Sequence, residues 1–468
     1  MTTTTGQHTT GPDTAQPEAA KKRGRWIADW RPEDAAFWEQ GGARVARRNL
    51  VFSIFSEHVG FSVWSLWSVF ALFLTPTYGI SHDIKTAAAE KFLLTALPTA
   101  LGATIRLPYT FAVAKFGGRN WTIISASLLL VPTVAAAIAL KPGVSYGTLL
   151  VLAGLAGVGG GNFASSMANI NSFYPQRLKG WALGLNAGGG NLGVAVVQLV
   201  GLVVLATAGK GHPRVLLGVY LPLVVLAALA AALFMDNLEG VRNEKGALRS
   251  ALKDPHTGVI AFLYIGSFGS FIGFSFAFGQ VLQDQFGAHF LAAGTVDPVK
   301  IAYLTFLGPL LGSLSRPVGG RLADRIGGAR TTFWCFAAMA LAAGVVLTAS
   351  RQKSLALFCV GFIALFVLSG IGNGSTYRMI PAIFARKASV QEARDRQSHS
   401  RANAVIGIAG AVGAAGGVLI NIAFRQSFLA SGTGDAAYLG FIAFYLVCVG
   451  LTGLVYLRAA GRRGLAGV

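Results

Sequence analysis

The sequence predicts an all-helical membrane protein of about twelve crossings in two six-helix halves, and three observations carry that prediction. Hydrophobic residues make up 53% of the 468 and charged ones 12%, against about 25% charged in a typical water-soluble domain. Apolar runs near the ~20 residues that a helix needs to span the hydrocarbon core recur over residues 50–75, 91–114, 121–140, 147–173, 181–207, 214–235, 257–282, 300–322, 331–350, 354–384, 401–424 and 437–457. Features of the first six runs then return in order in the last six. Arg106, in TALGATIRLPYTFAVA, and Arg316, in FLGPLLGSLSRPVGG, stand 210 residues apart (316 − 106), while Asn162, in GGGNFASSMANI, and Asn373, in GIGNGSTYRMIP, stand 211 apart (373 − 162). Glycine runs follow in each half: ALGLNAGGGNLG, with Gly188, Gly189 and Gly190, and AVIGIAGAVGAAGG, with Gly413, Gly416 and Gly417.

The polar stretch 236–255 divides an N-terminal half, 49–235, from a C-terminal half, 256–458, with an N-terminal segment 1–48 and a tail 459–468 outside them. Positive charge is retained on the cytoplasmic side of a membrane. Arg44, Arg47 and Arg48, Lys115 and Arg119, Arg177 and Lys179, Arg249 and Lys253, Arg325 and Arg330, Arg394 and Arg396, and Arg462 and Arg463 gather at alternate connections. Both termini are therefore expected in the cytoplasm. The net charge of +20 follows from this topology and argues against a nucleic-acid partner, since the basic residues are dispersed over equivalent loops rather than one face. Residues 1–20, rich in Thr, Gly and Pro, are expected to be disordered, and WRPEDAAFWEQGGARVARRN to lie along the membrane surface. The first apolar run begins too late for a signal peptide, so the first helix is expected to be retained. Cys335, Cys359 and Cys448 lack the spacing of a metal site or disulfide framework and read as small core residues. Nothing in the sequence calls for a metal, nucleotide or redox cofactor.

A charged side chain inside a membrane helix is costly and ordinarily faces an interior cavity where it serves transport. Arg106 and Arg316 each lie about fifteen residues into their runs, which at 1.5 Å rise per residue sets them at similar depth. The guanidinium is a permanently charged planar fork that pairs with planar oxyanions. Two of them predict an anion site between the halves, near the midplane where two-half transporters hold substrate and expose it alternately. Asn162, Ser165, Ser166 and Asn169, and Asn373, Ser375 and Thr376, share that level and can donate hydrogen bonds. Phe163, Tyr264 and Phe268 can wall a flat ligand. The paired glycine runs let helices approach and slide during gating.

The loop GGRLADRIGGAR, 319–330, resembles the signature of the major facilitator superfamily, in which an Asp and basic residues latch the cytoplasmic ends of neighbouring helices; Asp324, Arg321 and Arg325 occupy those places. Its first-half counterpart AKFGGRN lacks the Asp, so a latch there is expected to be built differently. The stretch GGGNFASSMANINSFYPQRLKGWALGLNAGGGNLG, with GNGSTYRMIP and the glycine run at 410–417, resembles the nitrate/nitrite porter family of that superfamily over residues 25–460. The resemblance implies secondary active transport of nitrate and nitrite across the cytoplasmic membrane by alternating access. It implies a protein working in the lipid bilayer as a monomer, not an enzyme. It gives the anion to Arg106 and Arg316, an aromatic sandwich to Phe163 and Tyr264, and a pocket place to Asn191 beside Asn162, Asn373 and Ser375.

Glu57 and His58, about seven residues into the first run, stand where the family's exchangers carry apolar residues. His titrates near neutral pH, and a Glu beside it is a second candidate to carry protons. A nitrate/proton symporter needs such a site and a nitrate/nitrite exchanger does not, so both couplings stay open. A porter for another small anion, and a non-transporting anion sensor on the same fold, are the alternatives.

Overall fold

Lipid offers backbone N–H and C=O groups no partner, so a chain of this composition satisfies them within helices. The computed structural model describes residues 21–22, 25–209, 211–241, 247–292, 294–387 and 392–458. The stretch 1–20 and the tail with Arg462 and Arg463 lie outside the described residues, as do the side chains of Arg394 and Arg396. Twelve rods follow one another: α1 Ala43–Phe73, α2 Ile84–Phe116, α3 Gly118–Ala139, α4 Tyr146–Phe173, α5 Gln176–Thr207, α6 Arg214–Phe234, α7 Pro255–Phe290, α8 Pro298–Thr305 continued by Leu307–Ile326, α9 Gly328–Gln352, α10 Leu355–Lys387, α11 Glu392–Ser431 and α12 Asp435–Arg458. Rods α1 and α11 begin before the apolar runs at 50 and 401. The first turns of α1 carry Arg44, Arg47 and Arg48, charges of the kind that extend a helix past the hydrocarbon.

Nine of the rods are long and apolar enough to cross a membrane among the described residues. The other three, α1, α2 and α8, carry Glu57, Arg106 and Arg316, all buried. Their low apolarity marks the helices whose polar groups face inward, which is where an intramembrane charge is tolerated. α2 and α8 end alike, at Gly117 with φ 86° and Gly327 with φ 94°, a left-handed conformation that glycine adopts without penalty.

Within the first half α1 packs along α5; across the halves α2 packs along α11, α5 against α8, and α1 against α7. At the end of the bundle remote from the N-terminus these seams are closed. Thr95 Oγ1 donates to Asn421 Oδ1 at 2.8 Å, Gln198 Nε2 donates to the Ser275 carbonyl at 2.8 Å, and Phe92 lies on Phe424 and Phe428 with ring centroids 5.6 and 5.2 Å apart.

The aromatic-rich N-terminal stretch packs on protein. Trp30 donates from Nε1 to the Phe173 carbonyl at 3.2 Å, Trp38 meets Tyr174, and both belong to a cluster with Leu50, Ile170 and Ala182. Trp26–Ile27 pairs in parallel with Asn237–Leu238, just after α6. Asp236, fully buried, accepts from Arg25 Nε at 3.0 Å, from Arg48 and from Asn49 Nδ2 at 3.2 Å. A buried carboxylate held this way is stable because both oxygens accept hydrogen bonds and two guanidiniums offset its charge.

Candidate functional site

Arg106, from the middle of α2, and Arg316, from α8, are 0% and 4% exposed, and the fold brings them onto one pair of rings. The Arg106 Cζ lies 4.8 Å from the centroids of both Phe163 and Phe268; the Arg316 Cζ lies 5.6 and 6.0 Å from the same two rings. Phe163 comes from α4 and Phe268 from α7, so each half supplies one arginine and one ring. Guanidinium and ring face attract one another electrostatically, which helps a buried cation remain in place. Trp64 and Tyr377 complete the surround, 5.2 Å from Arg106 and 5.6 Å from Arg316.

The hydrogen-bonding capacity of this cluster is largely unused. Arg106 Nη1 donates to the Gly410 carbonyl at 3.2 Å and Arg316 Nη2 to the Tyr264 hydroxyl at 3.1 Å. Among the described residues, Arg106 Nε and Nη2, Arg316 Nη1 and the Tyr377 hydroxyl have no partner, and neither have the amide atoms of Asn162 on α4, Asn191 on α5 and Asn373 on α10. Neither arginine has a carboxylate within ion-pair distance among the described residues. Orphaned donors are rare in a protein interior, where each costs about 1–3 kcal/mol. Donors and uncompensated positive charge on one aromatic pair fit an oxyanion.

The ring that faces Phe163 is Phe268, at 5.8 Å and 24°, whereas Tyr264 stacks on Phe268 at 5.2 Å and 13°. Tyr264 thus stands one turn behind the ring that meets Phe163. Between the two lies the π-helical segment Ile265–Gly269, a distortion that recurs at functional sites. The matching distortion in α4 is the 3-10 segment Gly157–Gly161, immediately before Asn162 and Phe163.

The remaining candidates are distributed as follows. Asn162 lies against Gly60, where a Cβ would stand 2.7 Å from its Nδ2. Ser375 faces α9, sharing a 2.8 Å bond with Thr332. Asn169 fills the place a Cβ of Gly118, the first residue of α3, would take. Glu57, fully buried, accepts from Ser166 Oγ and from Asn186 Nδ2, the latter at 2.7 Å. His58 Nδ1 is 3.2 Å from the Gly189 carbonyl, so these neighbours point apart. Asp324 pairs with Arg378 Nε of α10 at 2.5 Å, while Arg321 and Arg325 are exposed. In the first half, neutral groups take the place of that ion pair: Asn237 and Asn120 exchange bonds of 3.1 and 3.2 Å.

The glycines split by environment. A Cβ on Gly413 would stand 2.4 Å from the Tyr264 ring, on Gly416 2.9 Å from Gly269 Cα, on Gly417 2.9 Å from Thr99, on Gly189 2.5 Å from Ile54 and on Gly190 2.3 Å from Glu57 Oε1; around Gly188 there is open space. Trp64, Tyr377 and the Gly410 carbonyl went unnoticed in the sequence. Tyr377 lies inside the GNGSTYRMIP motif and was open to notice there, but a ring and a backbone carbonyl in an apolar run carry no charge signal.

Comparison with known proteins gives the family of the chain. The Major Facilitator Superfamily pattern matches residues 51–421. The nitrate/nitrite transporter NarU of Salmonella typhimurium is 37% identical over 92% of this chain and 96% of its own length, and NarU of Escherichia coli is 37% identical over 94% and 98%. The probable nitrate/nitrite antiporter NarK2 of Thermus thermophilus is 33% identical over 94% and 98%. A solved structure of the xylose transporter XylE from E. coli, partially occluded and inward open, matches with a TM-score of 0.68 over 88% of this chain and 98% of that one, at 12% identity, which shows a shared fold alone. The chain belongs to the Major Facilitator Superfamily and, within it, to the family of these nitrate/nitrite transporters; it is a membrane transporter and not an enzyme.

Proposed function

We propose that this protein carries nitrate and nitrite across the cytoplasmic membrane by alternating access, one anion bound at a time between Phe163 and Phe268 and held by Arg106 and Arg316. The observation that carries the reading is the pair of buried guanidiniums, one from each half, with unpartnered donors on the same two rings. Ring faces in contact with both sides of a flat ion need about 7 Å between them, twice a contact distance of ~3.5 Å. The present 5.8 Å means that the rings part by about 1 Å on anion entry. An anion shared by both arginines then draws the halves together, and its departure leaves two cations that oppose closure, so exchange of one anion for another is favoured. The gating seam is assigned to Gly413, Gly416 and Gly417 on α11, and the Asp324–Arg378 pair to holding α8 and α10 together. Every group of the site comes from one chain, which supports a single copy as the working unit. The charge distribution over the connections supports cytoplasmic termini.

The test is counterflow of labelled nitrate into proteoliposomes loaded with nitrite. Nitrite, flat and monovalent, is expected to compete from outside and sulfate, tetrahedral and divalent, to leave the rate unchanged; competition by sulfate at the potency of nitrite would contradict a flat monovalent site. Within the site, Phe268→Ala is expected to weaken nitrate by about 1 kcal/mol or more through loss of the stacking face. Tyr264→Phe, which removes the hydroxyl from Arg316 but keeps a ring, should cost less. Calorimetric titration of both variants checks the order, and the reverse order would return the sandwich to Tyr264.

A further inference from the structure

We propose that Glu57 is the proton site of the carrier, linked to the anion through Arg106 and Arg316, so that anion entry draws a proton onto its carboxyl group and anion departure releases it. The proposal rests on the reading that the arginine pair binds nitrate.

Glu57 is 0% exposed in the middle of α1. Its Oε2 is held by Ser166 of α4 and Asn186 of α5, and Ser166 stands one turn after Phe163, the ring under both guanidiniums. The carboxyl group is thus held against the turn of α4 that follows the Phe163 ring. Its other oxygen, Oε1, has no partner among the described residues and faces Gly190, where any side chain would occupy its space. A buried carboxylate retained for structure alone carries a permanent counter-charge, as Asp236 does with Arg25 and Arg48. Glu57 has no ion pair among the described residues. The charged and titratable groups that act on it are Arg106 from α2, Arg316 from α8 and Tyr377 from α10, while His58, beside it on α1, is turned onto the Gly189 carbonyl. Its counter-charges are the ones assigned to the substrate.

The sign of the coupling follows. A bound anion and an ionised Glu57 repel one another in a buried site with little water to screen them. The anion therefore favours the neutral carboxyl group, and by reciprocity the proton favours the anion. One proton enters on a Glu57 oxygen with each nitrate. When the anion leaves, the O–H proton passes to water and the carboxylate returns. An emptied pocket then holds two cations and one nearby negative charge, which lowers the electrostatic resistance to closing without substrate. The carrier gains net, electroneutral uptake of nitrate with a proton beside one-for-one exchange.

The experiment uses the full chain in proteoliposomes, in two arms: nitrate counterflow against internal nitrite at equal pH, and nitrate uptake into vesicles without internal anion under an inward proton gradient. Wild type is expected to perform both. Glu57→Gln keeps the hydrogen-bonding shape and is expected to retain counterflow while acid-driven uptake falls about tenfold, within the usual range for coupled sites. Acid-driven uptake at the wild-type rate in Glu57→Gln overturns the proposal. Counterflow without acid-driven uptake in wild type also overturns it and leaves the anion site standing, whereas failure of both arms in wild type overturns the anion reading and the proposal with it. If Glu57→Gln loses both arms, wild type in weakly buffered detergent solution decides, with nitrate added and pH followed by an indicator dye. Proton uptake supports the linkage, and its absence refutes it.

Discussion

Arg106→Lys and Arg316→Lys each lower nitrate affinity by about 2 kcal/mol or more, roughly thirtyfold, because an ammonium cannot reproduce the planar fork of a guanidinium. The charge is retained in both variants, so a purely electrostatic trap would bind nearly as before. Shape makes the difference. A lysine carries a compact, strongly hydrated charge that cannot lie flat on Phe163 and Phe268 while presenting two parallel N–H groups to one ion. The loss is also expected to be similar for the two arginines, since each stands on the same rings from its own half. Arg106 has in addition the bond to the Gly410 carbonyl, across the seam between α2 and α11; Arg106→Lys should therefore loosen that seam as well. Calorimetric titration of purified protein checks the prediction, and wild-type affinity in either variant would remove that arginine from the site.

Gly416→Ala is expected to destabilise the protein by about 1–3 kcal/mol, the usual cost of overpacking, and to slow exchange further. Its Cβ would lie 2.9 Å from Gly269 Cα and 3.0 Å from the Ile265 carbonyl oxygen. Backbone cannot turn aside as a side chain can, so the two helices must separate. Gly269 ends the π-helical segment that carries Phe268, so the displacement reaches the anion site directly. Gly188→Ala is the control from the equivalent run in the first half. With open space around it, an added methyl meets nothing and removes backbone freedom from the unfolded chain, which leaves stability unchanged or slightly raised. Thermal unfolding in detergent and nitrite-loaded counterflow read both variants. Equal behaviour of the two would mean that the glycine runs are not distinguished by helix contact.

The contrast between these glycines shows what a sequence can carry. Arg106 and Arg316 stood out because a charge in an apolar run has a large cost that something must justify, and the twelve rods followed from run length alone. The environment of a glycine leaves no such trace: Gly188, Gly189 and Gly190 are consecutive, yet on a helix their Cα–H directions differ by about 100° per residue, so one faces open space, one Ile54 and one Glu57. Ser375 and Asn373 differ for the same reason, one bonded to α9 and the other unpartnered. Phe268 was harder still. Tyr264 and Phe268 are four residues apart, one turn on the same face of α7, and only the packing tells which ring meets Phe163. Asn169, read with the pocket groups because it shares a motif with Asn162, sits two turns further along α4, where it replaces a side chain at Gly118, the first residue of α3.

The measurement closest to the central claim is a structure of the protein with nitrate bound, determined by cryo-electron microscopy or crystallography. The account predicts one flat ion lying between the rings of Phe163 and Phe268, which stand about 7 Å apart around it, with hydrogen bonds from Arg106 and from Arg316. An ion held by one arginine alone, or lying off the two rings, would contradict it.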